Sequence, residues 1–383
     1  MKSKIKDRKI VIVNQAVNYL TIGIANAFAE QFEEVHLITG NVHTQGEELS
    51  SQVTVTKIAR YKEASTKEKF ISFLKAIFQI GWLLLTKYRK YEVFFVSVPP
   101  FGYLTMLLLR NRFSVLIWDV YPDAFKIYNM SDRHPAFRFW KFANKKLFKR
   151  AYRLFTIGDK MADLISKYVP RERLCIVPLW TCFEAFEKVP RSENKFVELH
   201  ELGNKFIVQY SGNVGITHNV EVLVEVARLL KSDEQIAFMI IGKGERVQKI
   251  KQMVANYQLD NFKVLPFQSD EMFPFSLSAA DMGVVVLDDQ ISKGSVPSKT
   301  YNLMASSMPI LYISAADSEL AVYAEKYKNG SCFNSNDIEQ IAAYIHKLSR
   351  DQQLMQTLKN HSLQASANFT RRNADQLVAQ YIG

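Results

Sequence analysis

The nine residues 205–213, KFIVQYSGN, decide the fold, because they begin a second series of alternating strands and helices. A short apolar run that ends in a Ser-Gly-Asn turn is typical of the first strand of a parallel sheet. A helix at about 219–231 follows, and the alternation continues through AFMIIGKGE, FKVLPF, MGVVVL and PILYI. The pattern predicts a doubly wound α/β domain in the second half of the chain.

The first half of the chain carries the same alternation. Its predicted strands are EVHLIT and the segments 9–13, 53–59, 92–98 and 113–120, with helices at 67–88 and 102–110 between them. A chain of 383 residues exceeds what one hydrophobic core usually supports, so we expect two Rossmann-like domains.

The expected domain boundaries follow from where the alternation stops and restarts. We assign the N-terminal domain to residues 1–185 and the C-terminal domain to residues 200–363, with a linker near 183–200. Residues 364–383 are predicted to form a final helix that packs back on the N-terminal domain.

The composition indicates a globular protein with an anionic partner. Hydrophobic residues make up 48% and charged residues 23% of the chain, and the formal net charge is +11. Charge alone leaves open nucleic acid, a phosphorylated substrate and an acidic membrane surface. A nucleic-acid-binding protein is a remote alternative, because no nucleic-acid-reading motif is present and the basic residues concentrate on one amphipathic helix.

The cysteines and the N-terminal segment point to the cytoplasm. Cys175, Cys182 and Cys332 fit neither a zinc-binding pattern nor a disulfide framework, so we interpret them as buried or idle thiols in a reducing compartment. The segment MKSKIKDRKIVIVNQ runs from charge directly into a strand, and its apolar stretch is too short for the core of a signal peptide.

Two glycine-bearing loops follow predicted strands of the second domain, at the carboxyl edge where ligands bind in such sheets. In SGNVGITHN, residues 211–219, Gly212 and Gly215 allow tight turns whose free amides can face an anion. Generic packing of a strand-to-helix turn is the alternative. His218 is either a cap or packing group or a hydrogen-bond donor to phosphate.

The second loop, IIGKGE at residues 240–245, again places glycines at the end of a strand. Gly242 and Gly244 permit close approach of a ligand, whereas Lys243 and Glu245 are equally well explained as solvated side chains.

The segment SVPSKTYNLMA, residues 295–305, places a lysine at the start of a predicted helix. Pro297 suits the entrance of a helix, so Ser298 and Lys299 lie in its first turn, where unpaired amides and the helix dipole favour phosphate. A lysine opposes that dipole and therefore needs an anion; an exposed lysine is the alternative. On the functional interpretation, Ser298, Lys299 and Thr300 hold a diphosphate, with Tyr301 or Asn302 toward the attached sugar or ribose.

An acidic loop of the first domain offers a candidate general base. Asp119 and Asp123 of WDVYPDAF lie at a predicted strand end, where either can accept a proton from an acceptor hydroxyl. An aspartate that caps the turn at Pro122 is an equally good interpretation.

Residues 134–155 form an amphipathic, basic segment that is predicted to dock on an anionic membrane surface. One stripe is apolar and the opposite side carries Arg138, Lys141, Lys145, Lys146, Lys149 and Arg153 together with Phe142. A plain basic surface helix is the alternative. The apolar helix at 67–88 is interrupted by Lys75 and Gln79, so burial or shallow insertion is expected for it instead of a membrane span.

The motifs taken together resemble those of a known family. YSGNVG, FMIIGKGE, KVLPF, LSAADMGVVVL, SVPSKTYNLMASSMPIL and DSELAVYAEKYKNGSCF occur in the order and spacing of the donor half of family-four glycosyltransferases with the GT-B fold. WDVYPDAF, LFTIGDKMADLI and CIVPLWTCFEAF are similar to N-terminal signatures of the bacterial branch that builds capsule, exopolysaccharide or O-antigen units. The resemblance covers nearly the whole chain, and it rests on the order of the motifs.

The resemblance implies a GT-B fold with two Rossmann-like domains facing a central cleft, the first for the acceptor and the second for the donor. It implies transfer of a sugar from a nucleotide diphosphate, by default UDP, to a lipid-linked or saccharide acceptor, with retention of configuration and without a required metal or other cofactor. It also implies a peripheral enzyme on the inner face of the cell membrane. A sugar-nucleotide epimerase of the same fold is the alternative within enzymes.

The resemblance also implies roles for individual residues. The backbone of Leu265, Pro266 and Phe267 would meet the base, the helix that starts at Ser298 would meet the diphosphate, and Asn302 would meet the ribose or sugar.

Two departures from the family pattern concern the donor site. Asn213 and His218 stand where many relatives carry Arg and Lys, and the family's pair of glutamates falls on Gly294 and Asn302. Lys299 is therefore expected to carry most of the charge that meets the phosphate.

Overall fold

A computed structural model describes residues 5–44, 46–62, 66–96, 98–128, 130–183 and 186–383. The chain divides into two compact units, each described by itself below. Unit 1 comprises Met1–Cys182 and Thr370–Gly383, and unit 2 comprises Phe183–Phe369.

Unit 1 contains a seven-stranded parallel sheet with the strand order β5-β3-β1-β6-β7-β8-β9, and a small ladder of β2 with β4. Its strands are β1 Ile5–Val13, β2 Ala16–Val17, β3 Phe32–Thr39, β4 Asn41–Val42, β5 Val53–Lys57, β6 Glu92–Val96, β7 Phe113–Ile117, β8 Leu154–Thr156 and β9 Leu174–Ile176. Its first helices are α1 Tyr19–Gln31, α2 Thr66–Leu85, α3 Pro135–Arg150 and α4 Asp159–Ile165, with 3-10 helices at Gly102–Leu107, Asp123–Tyr128 and Arg171–Arg173.

The continuous apolar run at residues 10–13 explains the centre of this sheet. These four side chains of β1 are fully buried, as expected for a parallel strand that is covered on both faces. The segment 102–110, predicted as an α-helix, is instead a short 3-10 helix. The strands β8 and β9 escaped prediction because each is only three residues long.

Unit 2 contains a six-stranded parallel sheet with the strand order β12-β11-β10-β13-β14-β15. Its strands are β10 Phe206–Ser211, β11 Ile236–Ile241, β12 Phe262–Leu265, β13 Met282–Val286, β14 Ile310–Ile313 and β15 Gly330–Phe333. Its helices are α5 Lys195–Leu199, α6 Val222–Leu229, α7 Val247–Asn256, α8 Phe273–Ala279, α9 Lys299–Ala305, α10 Glu319–Tyr327, α11 Ile338–Leu348 and α12 Gln352–Ser366, with a 3-10 helix at Arg191–Glu193. The prediction of two Rossmann-like domains is confirmed.

The strand order places a topological switch point of unit 2 between β10 and β13. The chain leaves β10 toward β11 on one side and returns to pair β13 on the other side. Ligands in sheets of this kind bind outside the carboxyl ends of the strands at such a point. The loops that follow β10 and β13 are therefore the first place to look for a site.

Residues near the expected domain boundaries belong to the two units as follows. The range 183–200 is part of unit 2, because Phe196 and Val197 of α5 pack with Leu202 and Met239 in a core cluster. The C-terminal helix α13 Arg372–Ile382 begins eight residues after 364, and α12 before it stays with unit 2.

The helix α13 packs against α1 inside unit 1. The Tyr381 ring lies 5.1 Å from the Phe28 ring, and its hydroxyl donates a hydrogen bond of 2.6 Å to Glu92. The described part of the chain has no disulfide, and Cys175, Cys182 and Cys332 are thiols of intermediate burial.

Candidate functional site

The loops that follow β10 and β11 are joined to each other by backbone hydrogen bonds. The amide of Gly212 donates to the carbonyl of Ile241 at 2.9 Å, and the amide of Val214 donates to the carbonyl of Lys243 at 2.8 Å. The pairing of the two strands thus continues beyond their ends. The expectation that the amides of this glycine loop are free to face an anion is wrong for Gly212 and Val214.

Two glycines are needed for this close pairing. A Cβ atom on Gly242 would lie 1.9 Å from the carbonyl oxygen of Gly212, and one on Gly244 would lie 2.2 Å from that of Val214. Gly244 also has a φ of +152°, which side chains rarely allow. The glycines at 242 and 244 are therefore explained by the approach of a neighbouring loop, not by the approach of a ligand as predicted.

Gly212 has a different role, which is to leave room for Lys299. Its φ is +143°, and an added Cβ would lie 2.6 Å from the Nζ atom of that lysine. Gly215 is required by the packing within its own loop, since a Cβ atom there would lie 2.9 Å from the side-chain amide of Asn213.

Lys299 projects its ammonium group over an aromatic ring at the end of β10. Its Nζ atom lies 3.5 Å from the centroid of the Tyr210 ring, a distance at which the ring attracts a cation. The Nζ atom is enclosed, and within the described ranges no group accepts a hydrogen bond from it. Burial lowers the pKa of Lys299 to about 7. An enclosed ammonium group without a hydrogen-bonded anion is the outstanding feature of the site.

Tyr210 was not predicted from the sequence as a site residue. Its ring is fully buried, and its hydroxyl donates a hydrogen bond of 2.6 Å to the carbonyl of Asn213. The alternation in β10 indicates only that this side chain points to one face of the sheet. It does not reveal that the ring meets a lysine from a helix almost ninety positions later.

His218 lies beside the same pair, and its ring centroid is 6.3 Å from that of Tyr210. Burial, together with the charges of Lys299 and Arg246, lowers the pKa of His218 to about 3. Its Nδ1 atom shares a hydrogen bond of 2.9 Å with the hydroxyl of Thr217. The imidazole is therefore neutral near pH 7 and can offer a hydrogen bond but no charge.

Arg246 fixes the far end of the β10 loop, a contact that sequence reasoning missed. Its guanidinium donates to Glu221 and to the carbonyl of Ile216, both at 2.8 Å. The loop after β13 is also attached, because the amide of Asp288 donates to the carbonyl of Thr217 at 3.0 Å. The loops on both sides of the switch point are thus bonded into one framework.

The helix α9 differs from the expected anion-binding helix. It has seven residues and begins at Lys299, and the side chain of Ser298 forms no capping hydrogen bond. The amides of Thr300 and Tyr301 donate to the carbonyls of Pro297 and Ser298, both at 3.1 Å. These two amides already have acceptors, so Lys299 remains the predicted phosphate contact with the strongest support.

Two residues that were predicted to hold the donor point inward. Tyr301 is fully buried, and its ring packs against Phe369 at 4.7 Å and against Tyr323 at 6.3 Å. Thr300 is also fully buried, and its hydroxyl oxygen, like the Nζ atom of Lys299, has no hydrogen-bond partner in the described ranges. The prediction that the Tyr301 side chain faces the sugar or ribose is wrong, because its ring packs inside unit 2. The contact of Thr300 with the diphosphate stays a prediction. Asn302, on the same helix, is partly exposed.

The segment expected to meet the base follows β12. The carbonyl of Leu265 accepts a hydrogen bond of 2.9 Å from the amide of Gly242, and that of Pro266 accepts one of 2.9 Å from the side chain of Gln268. Phe267 is 45% exposed, and its ring centroid lies 5.9 Å from the Nζ atom of Lys243. An exposed aromatic face, in addition to the backbone, is thus available in this segment.

The two aspartates of unit 1 lie in different environments. Asp123 is 8% exposed, and its carboxylate is ion-paired with Lys167 and Lys126 and accepts a hydrogen bond of 3.4 Å from Tyr168. A carboxylate held in this way would have to give up an ion pair with a lysine before it could accept a proton from a substrate. The prediction that Asp123 is the base is therefore not supported. Asp119, at the end of β7, is partly exposed and lines a small cavity.

Part of the chain matches a family model and two named proteins. Residues 191–364 match the family model for glycosyl transferases group 1. The chain is 28% identical over 259 residues to WbjE of Pseudomonas aeruginosa, and 28% identical over 196 residues to WcaI of Escherichia coli K12. Both are provisionally named glycosyltransferases, the second in colanic acid biosynthesis.

These matches are partial in length. They cover 65% of this chain and 64% of WbjE, and 50% of this chain and 48% of WcaI. The chain thus spans less than two thirds of either relative.

A solved structure matches over nearly the whole chain. The structure of Anabaena Alr3699/HepE in complex with UDP and glucose superposes with a TM-score of 0.72, at 12% identity, over 98% of this chain and 99% of that one. At this identity the match concerns the fold, and the expected GT-B fold is confirmed.

Proposed function

We propose that the chain transfers a sugar in bacterial surface polysaccharide biosynthesis, because residues 191–364 match the family model for glycosyl transferases group 1. The donor is a nucleotide diphosphate sugar with UDP as the nucleotide, and the acceptor is a lipid-linked saccharide. Configuration at the anomeric carbon is retained. The provisional assignments of WbjE and WcaI support the reaction class, and the UDP and glucose bound by HepE support the donor class.

The observation that carries the proposal is the enclosed ammonium group of Lys299. When the bond between the sugar carbon and the phosphate oxygen breaks, its electron pair and a negative charge stay on the departing diphosphate. A fixed cation beside that oxygen stabilises the transition state more than the ground state. An anion would also supply the hydrogen-bond acceptor that the described surroundings of Nζ do not provide.

The rest of the donor site follows from the loops around that lysine. Gly212 leaves the space that the lysine occupies, and neutral His218 can donate a hydrogen bond to a phosphate oxygen. We assign Asn302, in place of the family's glutamate, to the ribose or sugar, and the exposed ring of Phe267 to the base. Lys299 supplies the charge, and we propose that no metal is required. Activity that disappears with EDTA and returns with a divalent cation would contradict this last point.

The acceptor side is assigned to unit 1. As the acceptor oxygen forms its bond to the anomeric carbon, its proton passes to the carboxylate of Asp119. Asp123 has the different task of holding Lys167 and Lys126.

The membrane contact is assigned to the basic side of α3. Arg138, Lys145, Lys146 and Lys149 are exposed on it. Phe139 and Phe142 are 58% and 65% exposed among these charges, which a merely solvated helix does not require. Phe137 and Phe148, which flank the apolar stripe, are buried. No helix in the described ranges has the length and apolar character needed to cross a bilayer, and peripheral binding on the inner face of the membrane is the proposed location.

The direct test supplies a panel of UDP-sugars with and without extracted lipid-linked acceptors and identifies the products. We expect a glycosylated lipid whose new linkage has the anomeric configuration of the donor. Slow donor hydrolysis is expected without an acceptor. An epimerised nucleotide sugar from donor alone, with no transfer to any acceptor, would instead establish the epimerase alternative.

A further inference from the structure

The helix α2 is apolar on two sides, one that packs in unit 1 and one that is exposed. Ser72, Ala76, Ile80 and Leu84 face the core of unit 1. The exposed side carries six large apolar side chains, which we call the outward stripe: Phe70, Ile71, Leu74, Phe78, Trp82 and Leu85. A surface helix normally has one apolar stripe, which packs against the core, so the second, exposed stripe of α2 is unusual.

The exposure in the outward stripe is large for residues of this type. Phe78 is 78% exposed and Trp82 is 63% exposed. Single exposed apolar residues are ordinary, but a row of them along four turns of one helix marks an interaction surface.

The apolar surface extends to neighbouring elements of unit 1. Both α2 and α3 contact the 3-10 helix Gly102–Leu107. Leu108, which follows that 3-10 helix, is 89% exposed. The basic helix α3 with its exposed phenylalanines is thus linked to the outward stripe through one shared segment.

The charges next to the outward stripe are mainly positive. Lys69 and Lys75 are exposed on α2, and Lys87, Arg89 and Lys90 are exposed directly after it. Glu68 is the single acidic residue within the described part of this helix. A second copy of the chain docked on the same surface would bring like charges together, whereas an anionic bilayer complements them. The arrangement therefore fits a lipid surface better than a dimer.

We propose that α2 inserts its outward stripe into the interface of an anionic bilayer and lies in the plane of the membrane. The lysines remain at the headgroup level, and Trp82 occupies the boundary between headgroups and acyl chains, as tryptophan commonly does. This inference deepens the membrane part of the proposed function and assigns a different task to each helix. The positive charges of α3 attract the protein to the anionic membrane, and the apolar side chains of α2 hold it there by insertion.

The test compares two variants in vesicle cosedimentation with phosphatidylcholine, with and without phosphatidylglycerol. The first variant is Phe78→Gln with Trp82→Gln, and its matched control replaces two exposed leucines of unit 2, Leu199→Gln with Leu363→Gln. Wild type first binds anionic vesicles at low salt and is then brought to about 1 M salt, where the Debye length is about 3 Å. We expect wild type and control to keep much of their binding, and the α2 variant to lose about tenfold or more.

A spectroscopic measurement locates the helix directly. Lipids brominated near the headgroup end of the acyl chain should quench tryptophan fluorescence of the wild type, and Trp82→Phe should remove most of that quenching. Trp140 and Trp180 are buried and should respond little.

The inference is overturned if the α2 variant binds like wild type at high salt, or if Trp82→Phe leaves the quenching unchanged. It is also overturned if the α2 variant dissociates a dimer in sedimentation while wild type ignores vesicles. The thermal shift produced by UDP reports the donor site separately. A normal UDP response with no vesicle binding refutes the insertion and leaves sugar transfer standing.

Discussion

The ammonium nitrogen of Lys299 lies 3.5 Å from the centre of the Tyr210 ring, and no acceptor in the described ranges reaches it. The ring favours the charged form of the lysine, while enclosure favours the neutral form. Enclosure prevails, and the pKa of Lys299 falls to about 7. An arriving diphosphate reverses this balance, because a nearby negative charge favours the ammonium form.

The first prediction concerns the protons exchanged when UDP binds. At pH 8 the free protein holds Lys299 mostly neutral, and bound UDP raises its pKa, so binding should take up a large part of one proton. UDP affinity should therefore fall as the pH rises above about 7. Calorimetric titration in buffers of different ionisation enthalpy measures the uptake.

The control for the proton measurement is Lys299→Met, which keeps an unbranched side chain one atom shorter than lysine and removes the titrating group. Its binding should show no proton uptake at pH 8. Equal uptake by wild type and Lys299→Met would assign the proton to another group and remove this explanation.

The second prediction concerns the space that Gly212 leaves. Gly212→Ala should displace the Lys299 ammonium and strain a backbone held at a φ of +143°, so turnover should fall at least about tenfold. Gly203→Ala is the matched control, because its φ is +49° and no atom lies within 4 Å of the added Cβ. That control should lose about 1 kcal/mol of stability and keep its turnover. Equal kinetics in both variants would contradict the assigned role of Gly212.

The third prediction separates the two aspartates of unit 1. Asp119→Asn should lower kcat about 10²-fold or more with little change in Tm, since a general base contributes on that scale. Asp123→Asn should instead lower the free energy of unfolding by about 1–3 kcal/mol, because it weakens the contacts with Lys167 and Tyr168. Kinetics and thermal unfolding on both variants decide between the roles. The reverse result would make Asp123 the base.

Much of the fold could be predicted from the sequence, because strands that are buried on both faces appear as continuous apolar runs. The runs at 10–13 and 236–241 illustrate this, and each is an internal strand of its sheet. The short strands β8, β9 and β15 were missed. β8 and β9 have three residues each, which is too short to show a period, and β15, Gly330–Phe333, is only partly buried and has no continuous apolar run.

The position of the candidate site could be predicted from the sequence, but its contacts could not. Loops after parallel strands converge at one edge of the sheet, so Gly212, Gly242 and Lys299 were found by their place in the alternation. The sequence did not reveal which side of α9 faces the core, because seven residues are too few to define an apolar stripe. That is why Tyr301 was predicted to face a ligand and is buried instead.

In the proposed mechanism, the Lys299 ammonium group stabilises the departing diphosphate. Steady-state kinetics of Lys299→Met, with a donor that the wild type uses, measure this role beside Lys293→Met, which removes an exposed lysine from the loop before α9. We predict that kcat/KM falls about 10²- to 10³-fold in the first variant, the scale for loss of one charge-stabilising group, while Tm stays at or above that of wild type. The second variant should match wild type. A folded Lys299→Met enzyme within about twofold of wild-type kcat/KM would contradict the claim.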